Sequence, residues 1–418
     1  MKDVHLQLEG PLATTERIAT LDIVRGFALL GILIMNMPGF TNSFFVEADG
    51  SHLWTSPIDR GAEVVRDMLF SGKFNSMFSL LFGIGFTIQF ARMQQLAPEH
   101  ATQLYVRRLL VLLALGVLHA MVFWTGDVLH VYALLGLALL VLLRFASNRV
   151  IVGLIVLCLL YPALSGLARL LVVTPEITAR LVAEAKAFEA SNNLAYGSGS
   201  FVDAAREHAR EFIYNYDNVW SAWSNLGFFV QMATTMLIGF LIGRNNWVRR
   251  IPELIPWVRR LQWWALGIGI VCSLIFGVIF QIERAPGPTP LKVLGSITYV
   301  LSRLGLMMFY VLTIVRLAQQ PAWHQRFAPI AAAGRAPLTN YLMQTAICTT
   351  IFYGWGFGWW GQLGPAAQLA LALAIFFLVQ VPLSVVWLRR FNYGPLEYAW
   401  RVLTYGRRSP RPVGAAVG

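Results

Sequence analysis

The sequence LDIVRGFALLGILIMNMPGFT, residues 21–41, decides the fold class of this 418-residue chain. Its only ionisable side chains, Asp22 and Arg25, both lie at its beginning. The apolar remainder is long enough to cross the hydrocarbon core of a bilayer, which takes roughly 20 residues in a helix. It is also too long for the apolar region of a signal peptide, and no small-residue cleavage site follows it. The stretch therefore predicts a transmembrane helix.

The composition extends this prediction to the whole chain. Hydrophobic residues make up 57% of it and charged residues only 13%, and the mean hydropathy is +0.59. Because soluble proteins carry about 25% charged residues, the low charge argues against a cytosolic enzyme. The high hydrophobicity excludes a disordered chain. The net charge of +12 would suggest nucleic-acid binding in a soluble domain, but here the basic residues lie between apolar runs. We expect an all-α polytopic integral membrane protein with no nucleic-acid partner.

About ten apolar runs have the length of a membrane-spanning helix, and we treat residues 1–418 as a single membrane domain. The main polar region, residues 173–224, shows apolar residues at helical spacing and a Gly/Ser stretch that divides it into two helical pieces. We expect it to form a long helical loop outside the membrane. The ten predicted spans lie near residues 21–41, 73–93, 104–124, 128–145, 149–172, 225–243, 261–281, 291–316, 337–355 and 365–388.

The distribution of basic residues predicts the orientation of the chain. Connections on the cytoplasmic side of a membrane protein carry an excess of Lys and Arg. With the N-terminus inside, 21 of the 33 Lys and Arg residues fall in inner segments and nine in outer ones. Both termini are then cytoplasmic, as residues 1–20 and as a segment 389–418. Apolar residues at helical spacing in the latter predict a helix lying on the inner membrane surface.

Polar residues at the inner end of the first span are the first candidate site. Ionisable residues inside a span are costly and are functional hypotheses by default. Asp22, Arg25 and Asn36 share one helix face at about 100° per residue. One interpretation is that Asp22 caps the helix and pairs with Arg25 for structure alone. The other is that Arg25 meets an anionic ligand from the cytoplasm.

A histidine and an aspartate near the outer end of the third span form the second candidate site. His119 precedes the turn Trp124–Asp127, and a carboxylate beside an imidazole fixes its tautomer and raises its basicity, as a general base requires. Alternatively, His119 is a hydrogen-bonded packing residue. His130, just inside the next span, is a weaker candidate.

The ninth span begins with a third polar group. Pro337 suits a first helical turn, which puts Arg335 at the inner surface, and Asn340 and Gln344 share a face at i, i+4. These amides either hydrogen-bond between helices or line, with Arg25, an inner pocket for a phosphate-bearing ligand.

Two further basic residues and the three cysteines also lie in or beside the predicted spans. Lys73 at the outer entrance of the second span either snorkels or contacts an acceptor, and Arg303, deep in the eighth span, needs a partner that the sequence does not identify. The three cysteines lie inside apolar runs without CxxC or histidine spacing, so we expect no disulfide framework and no metal site.

Taken in order, these segments resemble the YeiB-type family of bacterial inner-membrane proteins, the domain-of-unknown-function family 418. The resemblance covers nearly the whole chain, and it departs at Ala336 and Pro337, where the family has Met-Ala; we expect Arg335 and Asn340 to keep their places. It is carried by Leu21–Gly26, Gly72–Phe86, His119 with Trp124–Asp127, Gly334–Tyr341 and Gly394–Tyr398.

More distantly, the Leu-Asp-x-x-Arg-Gly opening resembles the transmembrane acyltransferase superfamily, which includes heparan-glucosaminide acetyltransferases. That resemblance implies an acyl-CoA donor bound from the cytoplasm and an acceptor modified on the outer side of the bacterial inner membrane. It implies that His119 is a general base oriented by Asp127. The donor would be held at Asp22, Arg25, Asn36, Arg335, Asn340 and Gln344.

The alternative function is a transporter, or a membrane protein that binds a lipid or small molecule without catalysis. Paired broken helices would favour transport, but the sequence shows no convincing duplicated pair. For either function we expect membrane lipids and a lipid or small-molecule ligand as partners, and a homodimer is left open.

Overall fold

A computed structural model describes residues 19–139 and 143–406 of the chain, which are helical with no strand. Residues 1–18 of the N-terminal segment, 140–142 of the fourth predicted span and 407–418 of the C-terminal segment lie outside the described residues. The α-helices are α1 (Ala19–Thr41), α2 (Pro57–Leu69), α3 (Lys73–Leu96), α4 (Ala101–Val122), α5 (Leu129–Ala138), α6 (Asn148–Val172), α7 (Pro175–Gly197), α8 (Phe201–Asp217), α9 (Val219–Arg244), α10 (Ile251–Ile282), α11 (Pro290–Ala318), α12 (Pro321–Arg335), α13 (Pro337–Phe352), α14 (Pro365–Ala374), α15 (Val381–Arg390) and α16 (Pro395–Tyr405).

Eight helical stretches in the described part of the chain are long and apolar enough to cross a membrane. Two of the ten predicted spans, near 128–145 and 337–355, are not among them. They correspond to α5, with 10 residues, and α13, with 16; a helix of that second length is about 24 Å long, short of the roughly 30 Å hydrocarbon core. The eight stretches are Ala19–Thr41, Pro57–Gln95, Ala101–Val122, Asn148–Val172, Val219–Arg244, Trp247–Ile282, Pro290–Ala318 and Pro365–Arg390.

Two of the membrane-length helices expose apolar side chains on the outside of the bundle. Helix α6 has 25 residues, of which only Ile151 is buried, and it exposes leucines and valines along its length. Helix α10 likewise exposes Trp263, Trp264 and Val271. A soluble protein rarely exposes apolar patches of this size. The chain is therefore a multi-pass membrane protein by composition and surface alike.

The polar region between the spans folds as two helices, α7 and α8, separated at residues 198–200. The separation follows from local chemistry. Ser200 accepts a hydrogen bond from the Asp203 amide, and Asp203 accepts one from the Ser200 amide, which makes a capping box at the start of α8. Helix α8 packs against α4 and α9, and this contact sets it over the end of α4.

Helices α1 and α12 meet by close backbone approach. A Cβ atom on Gly334 would lie 1.9 Å from the carbonyl oxygen of Asp22, and one on Gly26 would lie 2.2 Å from that of Ile330. Only glycine leaves room for such contact. The chain then breaks between Arg335 and Pro337 and starts α13, so the inner end of α1 lies beside this break.

The first turn of α13 is capped by a carboxylate from the C-terminal helix α16. Glu397 accepts hydrogen bonds from the amides of Leu338 (2.6 Å) and Thr339 (3.0 Å) and from the Thr339 hydroxyl (2.6 Å). The otherwise unpaired N–H groups of a helix start are thereby satisfied. The Gly394–Glu397 element therefore fastens the C-terminal segment to the broken helix.

Candidate functional site

One carboxylate binds two histidines at the junction of α4 and α5. Asp127 Oδ1 lies 2.9 Å from Nδ1 of His119, and its Oδ2 lies 2.9 Å from Nδ1 of His130 and 3.1 Å from the His130 amide nitrogen. Burial alone would raise the pKa of Asp127, but the hydrogen bonds from His119 and His130 outweigh it and hold this pKa below its usual value. An ionised Asp127 only accepts, so each histidine carries its proton on Nδ1.

The other nitrogen of each histidine meets a hydroxyl group. His119 Nε2 lies 3.0 Å from Oγ1 of Thr345 on α13, and His130 Nε2 lies 2.6 Å from the hydroxyl of Tyr216 on α8. In a neutral imidazole with its proton on Nδ1, Nε2 accepts a hydrogen bond. The series Asp127–His119–Thr345 thus joins a carboxylate, an imidazole and a hydroxyl in the order used for proton abstraction.

The turn that holds Asp127 is fixed by its neighbours. The indole of Trp124 is buried, stacks on Phe40 at 4.2 Å between ring centroids, and donates a hydrogen bond to the Gly39 carbonyl (3.0 Å). A Cβ atom on Gly116 would lie 2.4 Å from the His130 amide nitrogen. Helices α4 and α5 therefore approach closely enough for one carboxylate to reach both imidazoles.

A cavity of about 100 Å³ lies one helical turn from this series. On α13 its wall includes Thr349, one turn beyond Thr345, and at the end of α4 it includes Val122 and the following residue, Phe123. Helix α8 contributes Phe201 and His208. The wall is mainly apolar with a few hydroxyl and imidazole groups, which is the composition of small-molecule sites.

Beside the cavity, α7 and α8 supply a buried polar cluster that the sequence did not predict. His208 Nδ1 lies 2.9 Å from the Tyr196 hydroxyl, and Nε2 lies 3.3 Å from that of Tyr353. Glu211, one turn further on α8, is only 2% exposed. Burial lowers the pKa of His208 to about 3 and raises the pKa of Glu211 to about 8. In the sequence, only the i, i+3 spacing of His208 and Glu211 indicates this cluster. The exposed charges Asp203 and Arg206 on α8 have the same spacing, so the spacing alone does not identify a buried site.

At the start of α1, Asp22 and Arg25 form the ion pair that their i, i+3 spacing allows, with 2.7 Å between Asp22 Oδ1 and Arg25 Nη1. The Arg25 side chain is 25% exposed, whereas that of Asp22 is buried. Arg335 follows Gly334, which contacts Asp22. The structure therefore brings the start of α1 and the end of α12 together. Asn36, about three turns after Arg25 along α1, is half-buried.

Asn340 and Gln344 form hydrogen bonds between helices. Asn340 Nδ2 donates to the Ala333 carbonyl (3.0 Å), the Ala336 carbonyl (2.9 Å) and Ser384 Oγ (3.0 Å). Gln344 Nε2 donates to the Leu29 carbonyl (3.2 Å) and to Gln380 Oε1 (3.0 Å). These contacts agree with the structural alternative for both amides, and a ligand role stays a prediction.

Within residues 19–139 and 143–406, no three His, Cys, Asp or Glu side chains are grouped as metal ligands.

Sequence comparison finds relatives along almost the full length. The chain is 30% identical over 415 residues to the Uncharacterized protein YeiB of Escherichia coli (strain K12), covering 94% of this chain and 98% of that protein. It is 29% identical over 411 residues to the Uncharacterized protein YxaH of Bacillus subtilis (strain 168), covering 94% and 96%. It is 27% identical over 402 residues to an Uncharacterized 39.9 kDa protein in the amylase 3' region of Bacillus acidopullulyticus, covering 96% and 97%.

No solved structure matches the chain. The model of the family described as "Protein of unknown function (DUF418)" matches residues 242–407, which include the α12–α13 break and its cap on α16. Together with the full-length relatives, this match identifies the chain as a member of the YeiB-type DUF418 family.

Proposed function

We propose that the protein is a membrane acyltransferase that moves an acyl group from a cytoplasmic acyl-CoA to a hydroxyl or amine on the outer side of the membrane. The observation that carries the proposal is the Asp127–His119–Thr345 series beside a cavity. Proton abstraction from an acceptor needs a base whose other nitrogen is fixed by a hydrogen bond, and Asp127 gives His119 that arrangement.

In this mechanism the acceptor takes the place of the Thr345 hydroxyl at His119 Nε2. His119 removes a proton from the acceptor, and the acceptor oxygen or nitrogen attacks the thioester carbonyl. The bond from carbonyl carbon to sulfur breaks, CoA leaves as a thiolate, and that thiolate takes the proton back. Asp127 stays ionised and stabilises the imidazolium, as in other His–Asp pairs.

The donor would bind where α1 meets the α12–α13 break. Arg25 and Arg335 supply cations for its phosphates. From Arg335 to Thr345 the chain advances about 15 Å along α13, and the acyl-bearing arm of the donor would cover this distance. This assignment rests on the predicted ten-span topology, in which the segments near 128–145 and 337–355 also cross the bacterial inner membrane although their helices α5 and α13 are short, and both termini are cytoplasmic. With eight spans the termini would also lie on one common side.

A second candidate function is a transporter, or a protein that binds a lipid or small molecule, and one observation favours it. His119 is only 4% exposed, and both of its nitrogens have hydrogen-bond partners inside the protein. A histidine in that environment can serve packing alone. The two functions differ in whether a covalent product forms.

The test uses purified protein in lipid vesicles, labelled acetyl-CoA or a longer acyl-CoA on the side of the termini, and amine and hydroxyl acceptors on the other. We expect label on an acceptor with the wild type and much less with His119→Ala, while His324→Ala, an exposed histidine on α12, keeps the wild-type rate. Normal transfer by His119→Ala would overturn the proposal. Movement of a solute or lipid without product would establish the second function.

A further inference from the structure

Two buried cations lie together in a part of the bundle that the proposed reaction does not use. Lys73, the first residue of α3, is 0% exposed, and Arg303, in the middle of α11, is 1% exposed. Both approach Tyr299, which is one turn before Arg303 on α11. The ammonium of Lys73 lies 5.9 Å from the centre of its ring, and the residue before Lys73 contacts both Tyr299 and Arg303.

That preceding residue, Gly72, closes the gap between α3 and α11. Its φ of +73° is in the left-handed region that favours glycine. A Cβ atom there would lie 2.4 Å from the Tyr299 hydroxyl and 2.9 Å from Cδ of Arg303. The two cations are therefore held near each other by the backbone as well as by packing.

The hydrogen-bond partners of the two cations are neutral oxygen atoms. Lys73 donates to the Asp67 carbonyl (3.1 Å), and Arg303 donates to the Ser76 hydroxyl and to the Gln231 carbonyl (3.2 Å). The Asp67 carboxylate pairs instead with Arg66. Among the residues that the structure describes, no carboxylate forms an ion pair with either cation.

Such an arrangement leaves both cations without a carboxylate at ion-pair distance. Removing a charge from water costs several kcal/mol unless an opposite charge and hydrogen bonds replace the water, and this cost is higher still inside a membrane. Arg303 Nε is buried with no hydrogen-bond partner, so this N–H group can still donate to a ligand. The start of α3 adds the positive end of a 24-residue helix, with no side chain capping it.

We infer that Lys73 and Arg303 form a binding site for a phosphate-type oxyanion, either a lipid headgroup or a soluble anion. The anion would accept hydrogen bonds from Arg303 Nε and the Lys73 ammonium and neutralise both charges. Tyr299, which borders the pair, and Gln231, whose carbonyl oxygen accepts from Arg303, are only partly buried. This inference does not depend on the proposed acyl transfer.

The experiment measures thermal unfolding of the full chain in a neutral detergent. One arm titrates sodium phosphate against sodium chloride at equal ionic strength, and the other adds phosphatidylglycerol or phosphatidylcholine to the micelles. A ligand that binds the folded state raises the unfolding midpoint as its concentration increases. A response to phosphate identifies a soluble anion, and a response to phosphatidylglycerol alone identifies a lipid headgroup.

Variants locate the response. Lys73→Met and Arg303→Met should each raise the apparent dissociation constant for the anion about tenfold or more, because a charge-assisted hydrogen bond is lost. Lys292→Met is the matched control, since Lys292 also donates to backbone carbonyl oxygens, those of Ala285 and Gly287; its anion response should equal that of the wild type.

Two results would overturn the inference. One is a wild-type protein that neither phosphate nor phosphatidylglycerol stabilises, which can be judged even if a variant fails to fold. The other is an unchanged anion response in Lys73→Met and Arg303→Met, because the two cations would then only hold α3 against α9 and α11. Arg303→Lys, which keeps the charge and loses Nε, gives a milder variant for the same titration.

Discussion

The Thr339 hydroxyl donates a 2.6 Å hydrogen bond to Glu397, 58 residues further along the chain. Glu397 thereby joins α16 to the first turn of α13, the helix that carries Asn340, Gln344 and Thr345. A change in this cap should displace α13 and therefore alter the candidate site, because the same helix provides the Thr345 hydroxyl beside His119.

The first prediction concerns the stability that this cap provides. Glu397→Ala leaves the amides of Leu338 and Thr339 without their acceptor, so the free energy of unfolding should fall by about 1–3 kcal/mol. Detergent-solubilised protein unfolded by heat or denaturant provides the measurement. Glu253→Ala is the control, since that carboxylate is 65% exposed and pairs only with exposed Arg250. Equal stability of the two variants would contradict the capping role.

The second prediction is a loss of stability between pH 6.5 and 8 caused by Glu211. Its pKa is raised from 4.5 to about 8 by burial, so across this range the folded state holds a proton that the unfolded state has lost. Stability then falls with rising pH, by up to about 1.4 kcal/mol per pH unit. Below pH 6.5 the lowered pKa of His208 has the opposite effect, because there the unfolded state binds the extra proton.

Glu211→Gln isolates that contribution. The variant keeps the shape of the side chain and cannot ionise, so its unfolding midpoint should change much less between pH 6.5 and 8 than that of the wild type. Glu189→Gln, a change in a half-buried residue of α7, should retain the wild-type slope. Parallel pH curves for wild type and Glu211→Gln would exclude Glu211 as the source.

The third prediction tests the inner donor site. Arg25→Ala and Arg335→Ala should each weaken CoA binding about tenfold or more, because a charge-assisted contact is worth on the order of 1.5–3 kcal/mol. Arg259→Ala, an exposed arginine on α10, should bind CoA as the wild type does. Calorimetry on folded protein gives the affinities. Unchanged binding by both site variants would remove the donor site from this place.

Local spacing predicts those contacts that lie within a turn or a single helix. The Asp22–Arg25 pair follows from i, i+3 spacing, and Asp127 is close enough in sequence to fold back on His119. The contact of His130 with Asp127 is also local, since the two residues are three positions apart. That one carboxylate binds both imidazoles depends on how closely α4 and α5 approach, which the sequence does not show. The sequence alone therefore favours His119 and leaves His130 as the weaker candidate.

Long-range partners could not be predicted, because they depend on helix packing. Thr345 is 226 residues from His119, and Arg303 donates to Ser76, 227 residues away. Span length was a further difficulty. Hydropathy does not distinguish a full span from a helix such as α13, which begins at Pro337 and whose apolar character continues into the turn after Phe352.

The last prediction separates a positioning role of Asp127 from the catalytic role of His119. His119→Ala removes the base and should lower turnover by roughly 10²–10⁴-fold while the KM for the acyl-CoA stays nearly the same. Asp127→Asn keeps the imidazole but no longer fixes its tautomer, so it should cost less. The pH–rate profile distinguishes the two, because its limb near neutrality should vanish in His119→Ala and persist in Asp127→Asn. Asp67→Asn, outside the site, should leave rate and profile unchanged. If Asp127→Asn removes the limb while His119→Ala keeps it, the assignment of the base is wrong.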